Sequence, residues 1–291
     1  MKDINIFCFG FGQVAKNFIK KLSVEQYNIN LSATSRSESS KKTFKGINYN
    51  SYLFNRENFD QNLVVKLKEA DHILVSIPPE NQEDLVIKNF SKFIESSKVK
   101  WITYLSATSI YGDHKGEWVN ENSKTNPISN NGIARLKAEN AWFSLEKNKK
   151  VPIQIFRLSG IYSNEKNILI RLKSGGVKLI NKKNHFFSRI HVDDISNILF
   201  KSLSKFKSGE IYNLSDDKPS TSEEVTLFGA KILNIENIEK IEVDQIKSEM
   251  LKNFYNESKK VSNKKMKSYF DYNLKFPSYI EGLNYISCNF I

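Results

Sequence analysis

The chain opens on Ile4-Asn5-Ile6-Phe7-Cys8-Phe9, a run in which only Asn5 is polar. Near-continuous apolar character over so few residues predicts a parallel strand covered on both faces. Gly10 and Gly12 follow, and then Val14, Ala15, Phe18, Ile19 and Leu22 recur at helical spacing. Further strands are predicted at 28–34, 47–54, 72–77, 100–105 and 152–158, and helices at 59–70, 81–97 and 132–147. This β-α-β order predicts an α/β chain with a doubly wound, Rossmann-type parallel sheet and right-handed crossovers. After about residue 160 the rhythm breaks into helical pieces at 167–173, 192–203, 222–232 and 259–268 and short strands at 186–191 and 210–214. Residues 1–160 are therefore read as the sheet domain and 161–291 mainly as a smaller C-terminal substrate lobe, with about 186–204 returning to the first domain.

The first chemistry lies where the opening strand meets its helix, at Gly10-Phe11-Gly12-Gln13-Val14-Ala15. In that context a first glycine permits a tight turn, a second lets backbone N–H groups approach a pyrophosphate, and a small third residue allows close helix–strand packing. Gly10, Phe11, Gly12, Gln13 and Val14 are the expected contacts to a dinucleotide. The end of the second strand selects between dinucleotides: an acid there holds ribose hydroxyls, whereas an arginine accommodates a 2′-phosphate. Here it reads Ala33-Thr34-Ser35-Arg36-Ser37. Arg36, helped by the Ser35 hydroxyl, predicts NADP as the cofactor, with NAD the alternative.

Composition narrows the class. With 40% hydrophobic and 12% aromatic residues the chain carries ample core and is not disordered. Its formal charge of +12 comes from lysines scattered between Lys16 and Lys275, with few arginines and no nucleic-acid module, so a nucleic-acid partner is not expected. No stretch reaches the ~20 apolar residues of a membrane span. The two cysteines, Cys8 and Cys288, and the absence of a leader-like opening after Met1 predict a cytoplasmic location without a disulfide. Asp113 and His114 are neighbours, yet no further His, Cys or Asp spacing suggests a metal, and none is expected.

Several segments together resemble the atypical and extended short-chain dehydrogenase/reductases, the superfamily of nucleotide-sugar epimerases and dehydratases. The likeness is carried by the glycine turn, Ser76-Ile77-Pro78-Pro79, Leu105-Ser106-Ala107-Thr108-Ser109-Ile110-Tyr111-Gly112, Arg157-Leu158-Ser159-Gly160-Ile161-Tyr162 and Arg189-Ile190-His191-Val192-Asp193-Asp194-Ile195. The segments Glu210–Asp217 and Val261–Lys265 continue it, so it spans nearly the whole chain. The resemblance implies that Ile77, Pro78 and Arg135 join the cofactor contacts, and that helices 81–97 and 132–147 pair across a two-fold axis in a homodimer.

The resemblance also implies a Ser/Thr, a Tyr and a Lys four residues after that Tyr as the proton relay. In this chain Ala107 stands at the Ser/Thr place, flanked by Ser106 and Thr108, while Asn131 and Arg135 occupy the Tyr and Lys places. An amide cannot exchange a proton near neutral pH. One reading gives different chemistry: Ser106 or Thr108 polarises a substrate oxygen, Tyr111 supplies the proton, and Arg135 holds the ribose and depresses a nearby phenol. The chain is then an NADP-dependent oxidoreductase or epimerase/dehydratase-like enzyme acting on a small polar, sugar-like substrate. The alternative is a non-catalytic, redox-responsive regulator that binds NADP(H). Three structural roles are also expected: Tyr111 packing its ring with a local hydroxyl bond, Arg157 in a buried ion pair with Asp193 or Asp194, and His191 ahead of a helix capped by one of those aspartates.

Overall fold

The opening run forms β1 (Asp3–Phe9), with every residue from Phe7 to Phe9 buried. A computed structural model describes residues 2–182 and 184–290 of the chain, so Met1 lies outside the described residues. Helix α1 (Gln13–Val24) buries the five apolar residues whose spacing predicted it. Strand β2 (Asn28–Ser35) pairs in parallel with β1, and β4 (Ile47–Leu53) with β2. No helix joins β2 to β4. The connection is an edge strand, β3 (Ser40–Phe44), that turns back antiparallel onto β4. Its two-residue turn, Lys45-Gly46, has φ of 50° and 81°, a hairpin geometry that glycine admits without strain.

Helix α2 (Asn62–Glu69), β5 (His72–Val75), α3 (Leu85–Glu95) and β6 (Trp101–Ala107) continue the alternation. Helical spacing predicted α3 from residue 81, but the helix begins only at Leu85. Asp84 accepts from the Val86 and Ile87 N–H groups and caps it there, and a residue in extended conformation cannot also be helix interior. The same carboxylate accepts from the Trp142 indole at 3.0 Å. Strand β7 (Trp118–Val119) precedes α4 (Asn130–Lys149), which buries Ala134, Ala138 and Trp142 as a stripe. Strand β8 (Ile153–Leu158) is buried throughout. The mostly parallel eight-stranded sheet runs β12-β8-β6-β5-β1-β2-β4-β3, with β12 covering Ile211–Leu214.

The chain divides into two compact units. The first comprises Met1–Ala107, Ile133–Arg157 and Ile195–Ile211. Its core is built around Phe7, Phe9, Phe54 and Phe90, with ring centroids 5.0 Å apart for Phe54–Phe90 and 5.4 Å for Phe9–Phe90. Arg157 is indeed buried in an ion pair, but its partner is Glu139 on α4 at 2.8 Å, not Asp193 or Asp194. Those two aspartates are committed elsewhere: Asp193 pairs with Lys275, and Asp194 accepts from the Tyr272 hydroxyl and the Lys275 and Phe276 N–H groups.

The second unit comprises Thr108–Gly132, Leu158–Asp194 and Tyr212–Ile291. It holds three short parallel pairs: β9 (Gly160–Tyr162) with β11 (Arg189–His191), β10 (Leu179–Asn181) with β13 (Lys240–Glu242), and β7 with β14 (Lys260–Val261). Helices α5 (Ile168–Lys173), α7 (Ser222–Leu233), α8 (Glu249–Tyr255) and α10 (Tyr279–Phe290) belong to it, and α6 (Val192–Ser202) leads from it into the first unit. Tyr162, Leu169, Val225, Tyr279, Leu283 and Ile286 form its core. The helix expected over 259–268 is instead β14 followed by α9 (Lys264–Phe270). Asn263 interrupts it by spending its amide on the Ser215 carbonyl and Asp217. At the start of α6, which carries Asp193 and Asp194 in its first turn, the Asp193 N–H donates to Nδ1 of His191 at 3.1 Å. Cys8 is buried and Cys288 exposed, both free.

Truncating one member of a buried ion pair strands the other charge. Glu139→Ala is expected to cost on the order of 3–5 kcal/mol in urea unfolding, and Glu139→Leu combined with Arg157→Met far less than the sum of its parts. A pH effect is expected in the second unit. Burial lowers the His191 imidazole to about 4, so its stabilising contribution is lost as pH falls from about 6.5 through that value. Burial raises the Asp194 carboxyl to about 6, so its contribution is largest below about pH 4 and is lost as pH rises through 6. The two slopes oppose each other. Asp194→Asn should therefore steepen the fall in melting temperature between pH 7 and 4, and His191→Gln should flatten or reverse it.

Candidate functional site

Gly10 sits in the left-handed region with φ of 86°. A Cβ there would lie 2.7 Å from Ile77 Cγ2 and 2.9 Å from Ser76 Oγ, so only glycine fits. The Gly10 N–H donates to Thr34 Oγ1 at 2.8 Å, and the Ser76 hydroxyl faces the Phe9 and Gly10 carbonyls at 3.0 and 3.1 Å. The ends of β1, β2 and β5 are thereby tied together at one turn. Phe11 packs against Phe44 and Tyr49 of the hairpin, with centroids at 5.4 and 4.9 Å.

Gly12 has no such internal reason to be glycine. Its φ of −84° is ordinary, and a Cβ built on it meets nothing within 4 Å. It is the N-cap of α1 without a side-chain cap, and no acid occupies the first turn. Open space, an N-cap residue without a side chain and the positive end of the helix dipole make a cradle suited to an anion. Gln13 and Val14 begin that helix, Val14 with its side chain buried.

Beside the turn, within the first unit, lies a cavity of about 340 Å³ lined by Arg36, Phe54, Asn55, Arg56, Glu57, Ile77, Pro78, Glu80 and Leu85. Three of the expected cofactor residues, Arg36, Ile77 and Pro78, thus share one hollow. Ser35 lies at the end of β2 with its hydroxyl 3.2 Å from that of Ser37. Phe54, Asn55 and Arg56 were not anticipated. Their signal was available: they follow β4, the next parallel strand beyond β2, and ligands in open α/β sheets gather at carboxyl ends of strands.

The residues proposed for catalysis fall in different settings. Ser106 is buried at the end of β6, and its hydroxyl has no partner among the described residues. Thr108 opens the 3₁₀ turn Thr108–Tyr111 and is half-buried. Tyr111 is fully buried and donates to Asn213 Oδ1 at 2.7 Å. Arg135 donates to the Leu105 carbonyl at 2.5 Å. The phenol whose ionisation Arg135 favours is that of Tyr104, which burial pushes upward and the guanidinium partly offsets. Asn131 is exposed at the start of α4. Among the described residues no cluster of three or more His, Cys, Asp or Glu side chains could hold a metal, and no helix is long and apolar enough to cross a membrane.

No protein-family model and no curated protein matches the chain. Solved structures do match. A functionally unknown conserved protein from Silicibacter pomeroyi DSS is similar with a TM-score of 0.86 at 28% identity, over 99% of both chains. The dTDP-glucose 4,6-dehydratase of Bacillus anthracis, solved with NAD, gives 0.76 at 18% identity over 99% of this chain and 96% of its own. The UDP-glucose 4-epimerase of Thermotoga maritima, solved with UDP-glucose, gives 0.77 at 14% identity over 100% and 98%. The chain shares the Rossmann-like α/β fold of these structures over its whole length. Within that fold Ala107, Asn131 and Arg135 depart from the relay that the resemblance implies.

The two glycines should respond very unequally to the same substitution. Gly10→Ala is expected to destabilise by about 2–4 kcal/mol through left-handed strain and overlap with Ile77. Gly12→Ala should stay within about 1 kcal/mol of the parent. Thermal unfolding of both variants checks this.

Proposed function

We propose that the chain is an NADP-dependent enzyme of the epimerase/dehydratase or oxidoreductase kind, acting on a small polar substrate of sugar-like chemistry. The observation that carries this reading is the bare cradle at Gly12, a glycine that neither backbone conformation nor packing demands. The backbone of Gly10, Phe11, Gly12, Gln13 and Val14 would hold the pyrophosphate, with Ile77 and Pro78 beside it. Arg36 and Ser35 would take the 2′-phosphate. Bound NADP supplies hydride transfer. A dehydratase of this fold was solved with NAD and an epimerase with UDP-glucose, which supports both the cofactor class and the substrate class.

The chain's own groups then divide the remaining work. Thr108 polarises the substrate oxygen, and Ser106, two residues earlier and with a buried hydroxyl that has no partner among the described residues, is its alternate. Tyr111 acts as a positioning residue, since its hydroxyl is committed to Asn213 and fixes the turn that presents Thr108. Arg135, by holding the Leu105 carbonyl, fixes the strand end carrying Ser106.

One observation favours a second reading. An exposed amide at Asn131 and a guanidinium already engaged at Arg135 leave the usual proton relay without a proton carrier, as in a redox-responsive regulator that binds NADP(H) without turnover. Calorimetry with NADPH and NADH, followed by product analysis with sugars, nucleotide sugars and carbonyl compounds, separates the two. For the enzyme, Thr108→Ala should lower turnover on the order of a hundredfold at unchanged NADPH affinity. Tight binding with no product from any compound selects the regulator. No heat with either nucleotide overturns both.

A further inference from the structure

We infer that Arg56 joins Arg36 in a two-guanidinium clamp that selects a phosphorylated adenosine ribose, and that neither arginine suffices alone. This rests on the NADP reading of the same site and adds a specificity-determining residue from a different strand end. Both arginines are exposed and line the cavity of about 340 Å³.

The loops that carry them are joined by one side chain. Asn55 Oδ1 accepts from the Glu57 and Asn58 N–H groups at 2.9 and 3.0 Å, and the Asn55 N–H donates to the Asn58 carbonyl at 3.1 Å. The remaining end of the same amide, Nδ2, donates to the Arg36 carbonyl at 3.2 Å. The turn at 55–58 is thus folded tightly and tethered to the backbone of the other arginine. Such a tether reduces the entropy lost when two separate loops must close on one anion. Asn81 turns its amide oxygen towards the Arg56 guanidinium from the opposite loop.

Charge makes both arginines necessary. Glu57 and Glu80 line the same cavity. Two guanidinium groups against two carboxylates leave the rim formally neutral, with the Arg56 fork held by the neutral Asn81 amide, which a dianion can displace. Among the described residues neither arginine has a carboxylate at salt-bridge distance; nearby Glu83 is paired with Lys88 at 2.8 Å and is only weakly influenced by Arg56. With either arginine removed the rim turns net negative, and a phosphate meets repulsion as well as a lost partner. A ribose bearing only hydroxyl groups would lose little, because the carboxylates can accept from it.

The test is calorimetry of NADPH and NADH with the parent, Arg56→Ala, Arg56→Lys, Arg36→Ala and the double variant. Arg56 is exposed, so the single variants should fold. Arg56→Ala is expected to weaken NADPH about ten- to hundredfold while NADH changes less than about twofold. Arg56→Lys should regain part of the loss. The double variant should lose little beyond either single change, because one removal already inverts the rim. Equal weakening of both nucleotides, or of neither, by Arg56→Ala in a parent that prefers NADPH overturns the clamp and leaves the proposed function standing. A parent that prefers NADH overturns the clamp together with the assignment of Arg36. A parent that binds neither nucleotide overturns the proposed function and the clamp with it.

Discussion

The left-handed turn at Gly10 is the constraint from which the rest of the first unit's geometry follows. Its N–H is given to Thr34 on β2, its flanking carbonyls face the Ser76 hydroxyl after β5, and Ile77 leaves no room for a side chain. Three parallel strands thereby end at one point. The helix that leaves this point starts at Gly12 with no side-chain cap and with open space where a Cβ would stand. A turn relaxed into ordinary backbone conformation would send α1 elsewhere and lose the cradle. The cavity that holds Arg36 and Ile77 depends on the same convergence, since its walls are the segments leaving β2, β4 and β5.

The second unit solves a different problem, because among its described residues there is no large sheet of its own. Short parallel pairs and buried polar side chains take the place of a continuous ladder. Asp194, fully buried, accepts three hydrogen bonds from the segment Tyr272–Phe276 and so docks the approach to α10. Gly282 then lets α10 close on the Tyr162 ring, where a Cβ would fall 2.1 Å from the hydroxyl. These are individually expensive arrangements, since each buried polar group must be satisfied.

How much of this was legible follows from the range of the interactions involved. Strands β1 and β5 and helix α1 were readable because burial on both faces, or on one stripe, is written locally in the residue pattern. The glycine turn was readable because the left-handed connection after β1 admits only glycine, and the place of Arg36 because it falls just past the end of β2. The hairpin strand β3 was not, since Ser40 to Phe44 is mostly exposed and carries no apolar alternation. Arg157 was expected to be paired and is, yet the choice of Glu139 depends on how α4 lies over β8, which pattern does not encode. The true start of α3 was lost for a related reason: capping by Asp84 outranked helical spacing over residues 81–84. That Arg56 shares a cavity with Arg36 was not legible, because it follows from the ends of β2 and β4 lying side by side.

The edge strand β3 carries a colloidal consequence. A sheet that ends in an open strand offers unpaired backbone groups to any other strand it meets, and an eight-stranded sheet makes that template long-lived. Here the terminal strand is only five residues long and shows Lys41 and Lys42 to solvent. Two adjacent cations on every copy repel a second sheet before its hydrogen bonds can register. Part of the lysine excess that gives this chain its charge of +12 thus works as a barrier between identical molecules.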